Sequence, residues 1–196
     1  KTAGGQHVVS PYVMIRVHTD EDLVGLGEAT LAPRWSGETS PGCVAAIEGL
    51  IAPQLIGRDP TAVADLTGRM NRAIRFNPFT KAAVEMALWD LAGKAAGVPV
   101  YKLIGQKHRS WVPVGSWTVS THPERMAEAV SEYSAQGYTW LKFHLSPFEN
   151  VIDQTEAMQK VAPKGFRIHY DFTMHGTEDH MPALLDRLSE YEIAGC

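Results

Sequence analysis

Between Gly137 and Ser146 the chain reads GYTWLKFHLS, and its apolar and polar positions alternate with a period of two. Side chains of a strand point alternately to opposite faces. Trp140, Lys142 and His144 therefore share one side, and Thr139, Leu141, Phe143 and Leu145 share the other. The run FRIHYD repeats the pattern, with Arg167, His169 and Asp171 on one face and Phe166, Ile168 and Tyr170 on the other. If the two runs are neighbouring parallel strands with helices against their apolar sides, Lys142, His144, His169 and Asp171 all face away from those helices. Such a cluster needs water, a metal or a substrate.

Elsewhere the pattern predicts a hairpin first. His7 to Val17 is an extended run, Asp20 to Asp22 a polar turn, and Leu23 to Ala29 a second extended run. Residues 30–41 carry two prolines, Trp35 and Gly37 without a clear period, which predicts a loop long enough to serve as a lid. Helices follow over Gly42–Leu55 and about Pro60–Ile74. The clearest helix starts at Asn77 as N-cap with Pro78 in first position, buries Val84, Leu88, Leu91 and Ala95, and stops at Gly97 and Pro99. Gln106 to Ser110 is polar and marks a boundary.

Beyond it, Trp111–Val119 reads as a strand, and Thr121-His122-Pro123-Glu124 as a capping box opening a helix. A helix near Glu149–Gln159 separates the two alternating strands, and another covers about Glu178–Glu192. The strands begin 27 and 29 residues apart, at Trp111, Tyr138 and Arg167. This is an internal β-α repeat, with a further strand due almost where the sequence stops. Units of this period build an open doubly wound sheet or a barrel, and three of them cannot close a barrel. The chain is expected to belong to a larger fold.

Composition narrows the classes. The 196 residues carry a formal charge of -4 and no dense Lys/Arg tract, which argues against a nucleic-acid partner. No apolar run is long enough to span a bilayer, so no membrane partner is expected. No targeting leader is visible, and the cytoplasm is the expected compartment. Cys43 and Cys196 have no metal spacing.

Two residues apart on a strand, Lys142 and His144 suit proton transfer, because adjacent cations repel and each lowers its neighbour's proton affinity. The competing reading is a solvated strand end where Lys142 snorkels and His144 caps a loop. Asp171, ending its strand, suits a metal ligand or base, or else a helix cap. His169 fits a packed interior histidine. His175 and His180 lack the Glu of an H-E-x-x-H site. Gly25-Leu26-Gly27-Glu28 is a poor match to a phosphate loop and reads as a closely packed strand. Trp35, with Gly37 and Glu38, is either a lid contact or loop packing.

Three stretches carry a resemblance: TDEDLVGLGEA at 19–29, NPFTKAAVEMALWDLAGKAAGVPVYKLIG at 77–105, and the TWLKFHLS strand. Together they resemble the mandelate racemase and muconate lactonizing branch of the enolase superfamily, over about the first half of its members' length. The resemblance implies an α/β fold, with an α+β capping domain at 1–108 followed at 109–196 by the first three β-α units of a modified (β/α)8 TIM barrel. The implied chemistry is abstraction of the proton α to a carboxylate, with the enolate stabilised on Mg²⁺. Loops 1–7 and 30–39 would fold over the substrate, with Trp35 in the second of them, and Thr173, after the third strand, is the other expected substrate-loop residue.

In that family the second barrel strand carries Lys-x-Lys and the third ends in Asp-x-Asn. Lys142 fits the first lysine, His144 stands at the second, Asp171 fits the metal ligand, and Thr173 stands where asparagine is usual. An imidazole has a lower intrinsic pKa than lysine but can protonate a departing hydroxyl. The expectation is therefore a Mg²⁺-dependent lyase dehydrating a hydroxy or sugar acid, with Lys142 and His144 catalytic and Asp171 on the metal. Racemisation, epimerisation or cycloisomerisation is the alternative within the family. A catalytically silent binding scaffold is the alternative outside it. A small carboxylate substrate and a homo-oligomer go with the first reading, and two further strand-end carboxylates are expected beyond Cys196. The 196-residue segment alone is expected to be inactive.

Overall fold

A computed structural model describes residues 9–146, 148–172 and 179–195. They form two compact units meeting in sequence at Ser110 and Trp111.

In the first unit, strands β1 (Tyr12–His18) and β2 (Val24–Thr30) pair antiparallel with Tyr12 opposite Thr30 and His18 opposite Val24, which is the expected hairpin. Its turn is closed by the Thr19 amide on the Leu23 carbonyl (3.0 Å) and the Leu23 amide on Thr19 Oγ1 (3.1 Å). A single helical turn, α1 (Pro33–Ser36), interrupts the expected loop. From Ser40 to Leu55 the chain is helical, as α2 (Ser40–Ala46), a π-helical stretch (Ile47–Ile51) and α3 (Ala52–Leu55). The start precedes the expected Gly42 because Thr39 caps it, accepting from the Gly42 amide. Helix α4 (Val63–Ala73) begins three residues late, since Asp59 Oδ1 holds the Thr61 amide (2.8 Å) and hydroxyl (2.7 Å) in a turn.

Helix α5 (Pro78–Ala96) is the centre of this unit. One side contributes Ala83, Val84 and Ala87 to a core with Ile15, Ala29, Ile51 and Met70; another places Leu88 and Ala92 against Val63 and Leu66. Ala95 is exposed, not part of the buried stripe. The glycines of β2 explain the close approach. A Cβ on Gly27 would strike the Ala83 carbonyl, and one on Gly25 the Ala87 carbonyl. Gly-Leu-Gly-Glu is thus a close-packing strand. Asp90 Oδ2 then accepts the Leu26 amide (2.9 Å) and Lys94 Nζ (2.6 Å), and Lys94 also donates to the Val24 carbonyl. A short α6 (Tyr101–Ile104), not foreseen from the pattern, precedes the boundary.

Asn77 does not cap α5. It adopts a left-handed φ of 51°, and its side chain donates to the Arg75 carbonyl. The cap is Glu38, far off in sequence: Oε1 accepts the Phe79 amide (2.9 Å), and Oε2 accepts the Thr80 amide (2.9 Å) and hydroxyl (2.6 Å).

The second unit is a parallel sheet in the order β3 (Ser116–Val119), β4 (Trp140–His144), β5 (Arg167–Asp171), β6 (Ile193–Gly195). Helices α7 (Pro123–Ala135), α8 (Val151–Val161) and α9 (Met181–Leu188) alternate with the strands. β6 is the further strand that the repeat predicts. Leu141, Phe143, Ile168 and Tyr170 are fully buried with Met126, Val130, Met158 and Leu188.

β3 is shorter than expected, because Pro113 cannot donate to a ladder and Gly115 leaves room for the Trp140 indole. The capping box at Thr121 does not form; His122 occupies the N-cap without a side-chain bond. The Thr121 carbonyl instead accepts from Gln154, which also reaches Ser120 Oγ at 2.7 Å. α8 is capped by Asn150, whose Oδ1 accepts the Ile152 amide at 3.0 Å. α9 is shorter than expected, with Pro182 in its first turn, and Leu188 is its one buried residue.

Candidate functional site

The period-two alternation of β4 and β5 translates directly into geometry. In both strands buried side chains alternate with half-exposed ones, save that Arg167 at the start of β5 is exposed. Lys142 lies opposite His169 and His144 opposite Asp171, so all four occupy one face of the sheet, away from the buried residues. His144 and Asp171 are the last residues of their strands, at the carboxyl-terminal edge where α/β folds build sites.

Asp171 gathers the cluster. Its Oδ2 lies 2.8 Å from Lys142 Nζ and 3.1 Å from His144 Nε2. The three side chains keep between 23% and 34% of their surface exposed, enough to meet a ligand. Both contacts are charge-assisted when the bases are protonated. Sequence reasoning placed these residues on one face; it gave no reason for a single carboxylate oxygen to receive both.

His169 stands beside the cluster, half-buried, with the Trp140 ring edge-on at 6.0 Å. Its neighbour across the ladder is Gly195, where a Cβ would come within 3.3 Å of the imidazole. His180 is the exposed residue before α9, and His175 and Thr173 lie outside the described residues. Trp35 belongs to the first unit, on α1, and is half exposed. Glu38 is buried and engaged with α5, which makes its part of the 30–41 segment a structural clasp.

On β3, Trp117 lies opposite Lys142 and Val119 opposite His144, so both face the cluster. The Trp117 ring meets His144 edge-on at 5.4 Å and 88°. The alternation of Ser116, Trp117, Thr118 and Val119 was the available signal for this wall. Reading 111–119 as one strand hides it, because Trp111 and Trp117 then look alike.

Among the described residues no group of three or more His, Cys, Asp or Glu side chains converges as a metal site. Asp171 supplies the cluster with a hard carboxylate oxygen. Magnesium retains several waters and uses one or two carboxylates plus substrate oxygens, so the residues present fit one arm of such a site.

The sequence profile of the mandelate racemase/muconate lactonizing enzyme N-terminal domain matches residues 1–105. The chain belongs to the mandelate racemase/muconate lactonizing enzyme family. Cis-3-hydroxy-L-proline dehydratase of Roseibium aggregatum is 36% identical over 134 residues, 67% of this chain and 35% of that protein. The crystal structure of N-succinyl Arg/Lys racemase from Bacillus cereus superposes with a TM-score of 0.85 at 26% identity, covering 94% of this chain and 50% of that one. Dipeptide epimerase from Enterococcus faecalis, complexed with Mg and L-Leu-L-Tyr, superposes at 0.84 and 26% identity, over 93% of this chain and 51% of that one.

This member of the family therefore has an α+β capping region followed by the strand-helix alternation of a partial (β/α)8 barrel. It spans about half the length of the solved structures it matches and less than half of the curated relatives. Among the described residues no helix is long and apolar enough to cross a membrane.

Proposed function

We propose that this chain is part of a Mg²⁺-dependent enzyme that removes the proton α to a carboxylate, and that the reaction is dehydration of a hydroxy or sugar acid. The observation that carries the reading is the convergence of Lys142 and His144 on one oxygen of Asp171 at adjacent strand ends. Family membership supports it, since a dehydratase, a racemase and an epimerase all stand among the similar proteins.

In this reading Asp171 holds the metal and orients His144, and Lys142 sits beside the substrate carboxylate. Magnesium would offset the negative charge that develops on the substrate as the α-proton leaves. With Nε2 turned to Asp171, Nδ1 is the ring nitrogen assigned to proton transfer. His144 takes the α-proton, and the resulting imidazolium returns a proton to the β-hydroxyl as it departs. One C–H and one C–O bond break, a carbon–carbon double bond forms, and water leaves. A single acid/base group suffices for this elimination, which favours dehydration over racemisation, where a second base must reach the other face of the α-carbon. Racemisation or epimerisation is the second reading, favoured by the likeness to the Bacillus cereus and Enterococcus faecalis enzymes.

Trp35 and Thr173 belong to the proposal as substrate-loop residues, and a homo-oligomer as the assembly, in which exposed Met14 and Leu26 offer apolar surface. The test is incubation of the full-length protein with Mg²⁺ and a panel of hydroxy, amino and sugar acids in deuterated water. Exchange of the α-hydrogen is expected, with release of a 2-oxo acid from those substrates that carry a hydroxyl or amino group on the α-carbon and a hydroxyl on the β-carbon. A folded protein that exchanges none of them is a silent scaffold.

A further inference from the structure

β3 presents a different chemistry to the cluster from β4 and β5. Its two residues on that face are Trp117 and Val119, opposite Lys142 and His144, so one wall is apolar while the other carries both bases and the carboxylate. Trp117 sits beside charged groups rather than in a hydrophobic core cluster. Its backbone is held, since Tyr133 donates its hydroxyl to the Trp117 carbonyl at 3.2 Å, and its ring edge is set against His144. A second indole, Trp140, lies on the same face of β4, where Gly115 makes room for it and His169 faces its ring.

We propose that Trp117 is a specificity-determining residue: a substrate whose carboxylate meets Lys142 and the metal that Asp171 would hold lays its remaining carbon skeleton against the Trp117 and Val119 wall. An indole held at a fixed angle on the site-facing side of β3 recognises a continuous C–H surface and offers little to a chain of hydroxyls. The class selected is an α-substituted carboxylate bearing a saturated ring or alkyl group, in preference to an open-chain polyhydroxy acid. This rests on the proposed carboxylate site, and it adds which side of that site carries the discrimination.

The test uses the full-length protein with Mg²⁺, comparing wild type, Trp117→Phe and Trp117→Ala. Binding of cyclohexanecarboxylate and of D-gluconate is followed by calorimetry, and α-hydrogen exchange of cyclic and open-chain substrates by proton NMR. Wild type should bind cyclohexanecarboxylate more tightly than gluconate. Trp117→Ala should weaken that binding about tenfold, by the scale of a lost aromatic contact, and Trp117→Phe should restore most of it. For any cyclic substrate that turns over, KM should rise more than kcat falls. Equal affinity of Trp117→Phe and wild type for both probes, with no change in Trp117→Ala, overturns the assignment. So does a preference of the wild type for gluconate. Intact selective binding without α-hydrogen exchange leaves Trp117 in place and removes the catalytic reading, so the two fail separately.

Discussion

Glu38 and Thr80 are joined by a 2.6 Å hydrogen bond from the Thr80 hydroxyl to the Glu38 carboxylate, which also accepts the amides of Phe79 and Thr80. A buried carboxylate therefore does for α5 what the adjacent Asn77 does not. Glu38→Ala leaves two amides of the first helical turn without their acceptor and should cost about 2–3 kcal/mol. The expected readout is a clear drop in the denaturation midpoint of the unit containing α5. A loss below about 0.5 kcal/mol, the scale of a surface substitution, would refute the clasp.

The same carboxylate has a pH signature. Burial pushes its pKa up, but hydrogen bonds from Thr80, Phe79 and Ser36 outweigh that and hold it below the ordinary glutamate value. A group depressed in the folded state stabilises fully above its unfolded pKa, and that contribution is lost as pH falls through the folded one. Melting wild type and Glu38→Gln from pH 7 downward should show their difference shrink below the ordinary glutamate range. A difference that widens on acidification contradicts the assignment.

Gly27 makes a steric prediction. Any Cβ there overlaps the Ala83 carbonyl, which belongs to helix backbone and cannot swing aside. Gly27→Ala should separate β2 from α5 and destabilise by about 1–3 kcal/mol, the range for overpacking. Gly49→Ala, where nothing lies within 4 Å of an added Cβ, is the control and should be neutral or stabilising. Equal stability of the two variants would mean that the strand does not lie as close to the helix as described.

Those residues also show what the sequence makes legible. The period-two runs at 140–144 and 167–171 give the strands, their shared face and the placement of Lys142, His144 and Asp171, because strand alternation is local geometry. Gly25 and Gly27 could be read as close packing, but not that Ala83 and Ala87 are what they meet. The cap at Asn77 was misread because the true partner is distant: that helix is capped by Glu38. The Thr121 box failed for a similar reason: Gln154, on another helix, engages that backbone. Long-range hydrogen bonds leave no periodic trace.

In the proposed reaction Asp171 holds the metal, and its removal should separate binding from folding. Asp171→Asn keeps the shape of the side chain but replaces an anionic oxygen with an amide, removing the charge that Lys142 and His144 share. In the full-length protein, calorimetric titration should show Mg²⁺ affinity reduced at least about 100-fold, beyond the effect usual for losing a supporting group around a ligand. Circular dichroism should stay near wild type, since Asp171 is only half-buried. Unchanged affinity in a folded Asp171→Asn would remove the metal from this strand end.

His144 carries the proton in the proposed reaction, and Lys142 does not. Both lie within 3.1 Å of Asp171 Oδ2, so either could be argued to be the base from distance alone. Their positions differ: His144 is the last residue of β4, while Lys142 is two residues back along the same face. His144→Asn should lower α-hydrogen exchange in deuterated water by about 10²–10⁴-fold, the usual worth of a positioned acid/base, and leave binding of a carboxylate inhibitor largely intact. Lys142→Met should do the reverse in emphasis, weakening inhibitor binding because a cation beside the carboxylate is gone. If Lys142→Met abolishes exchange at saturating substrate while His144→Asn retains it, the roles are exchanged, and the histidine serves to hold Asp171 rather than to move the proton.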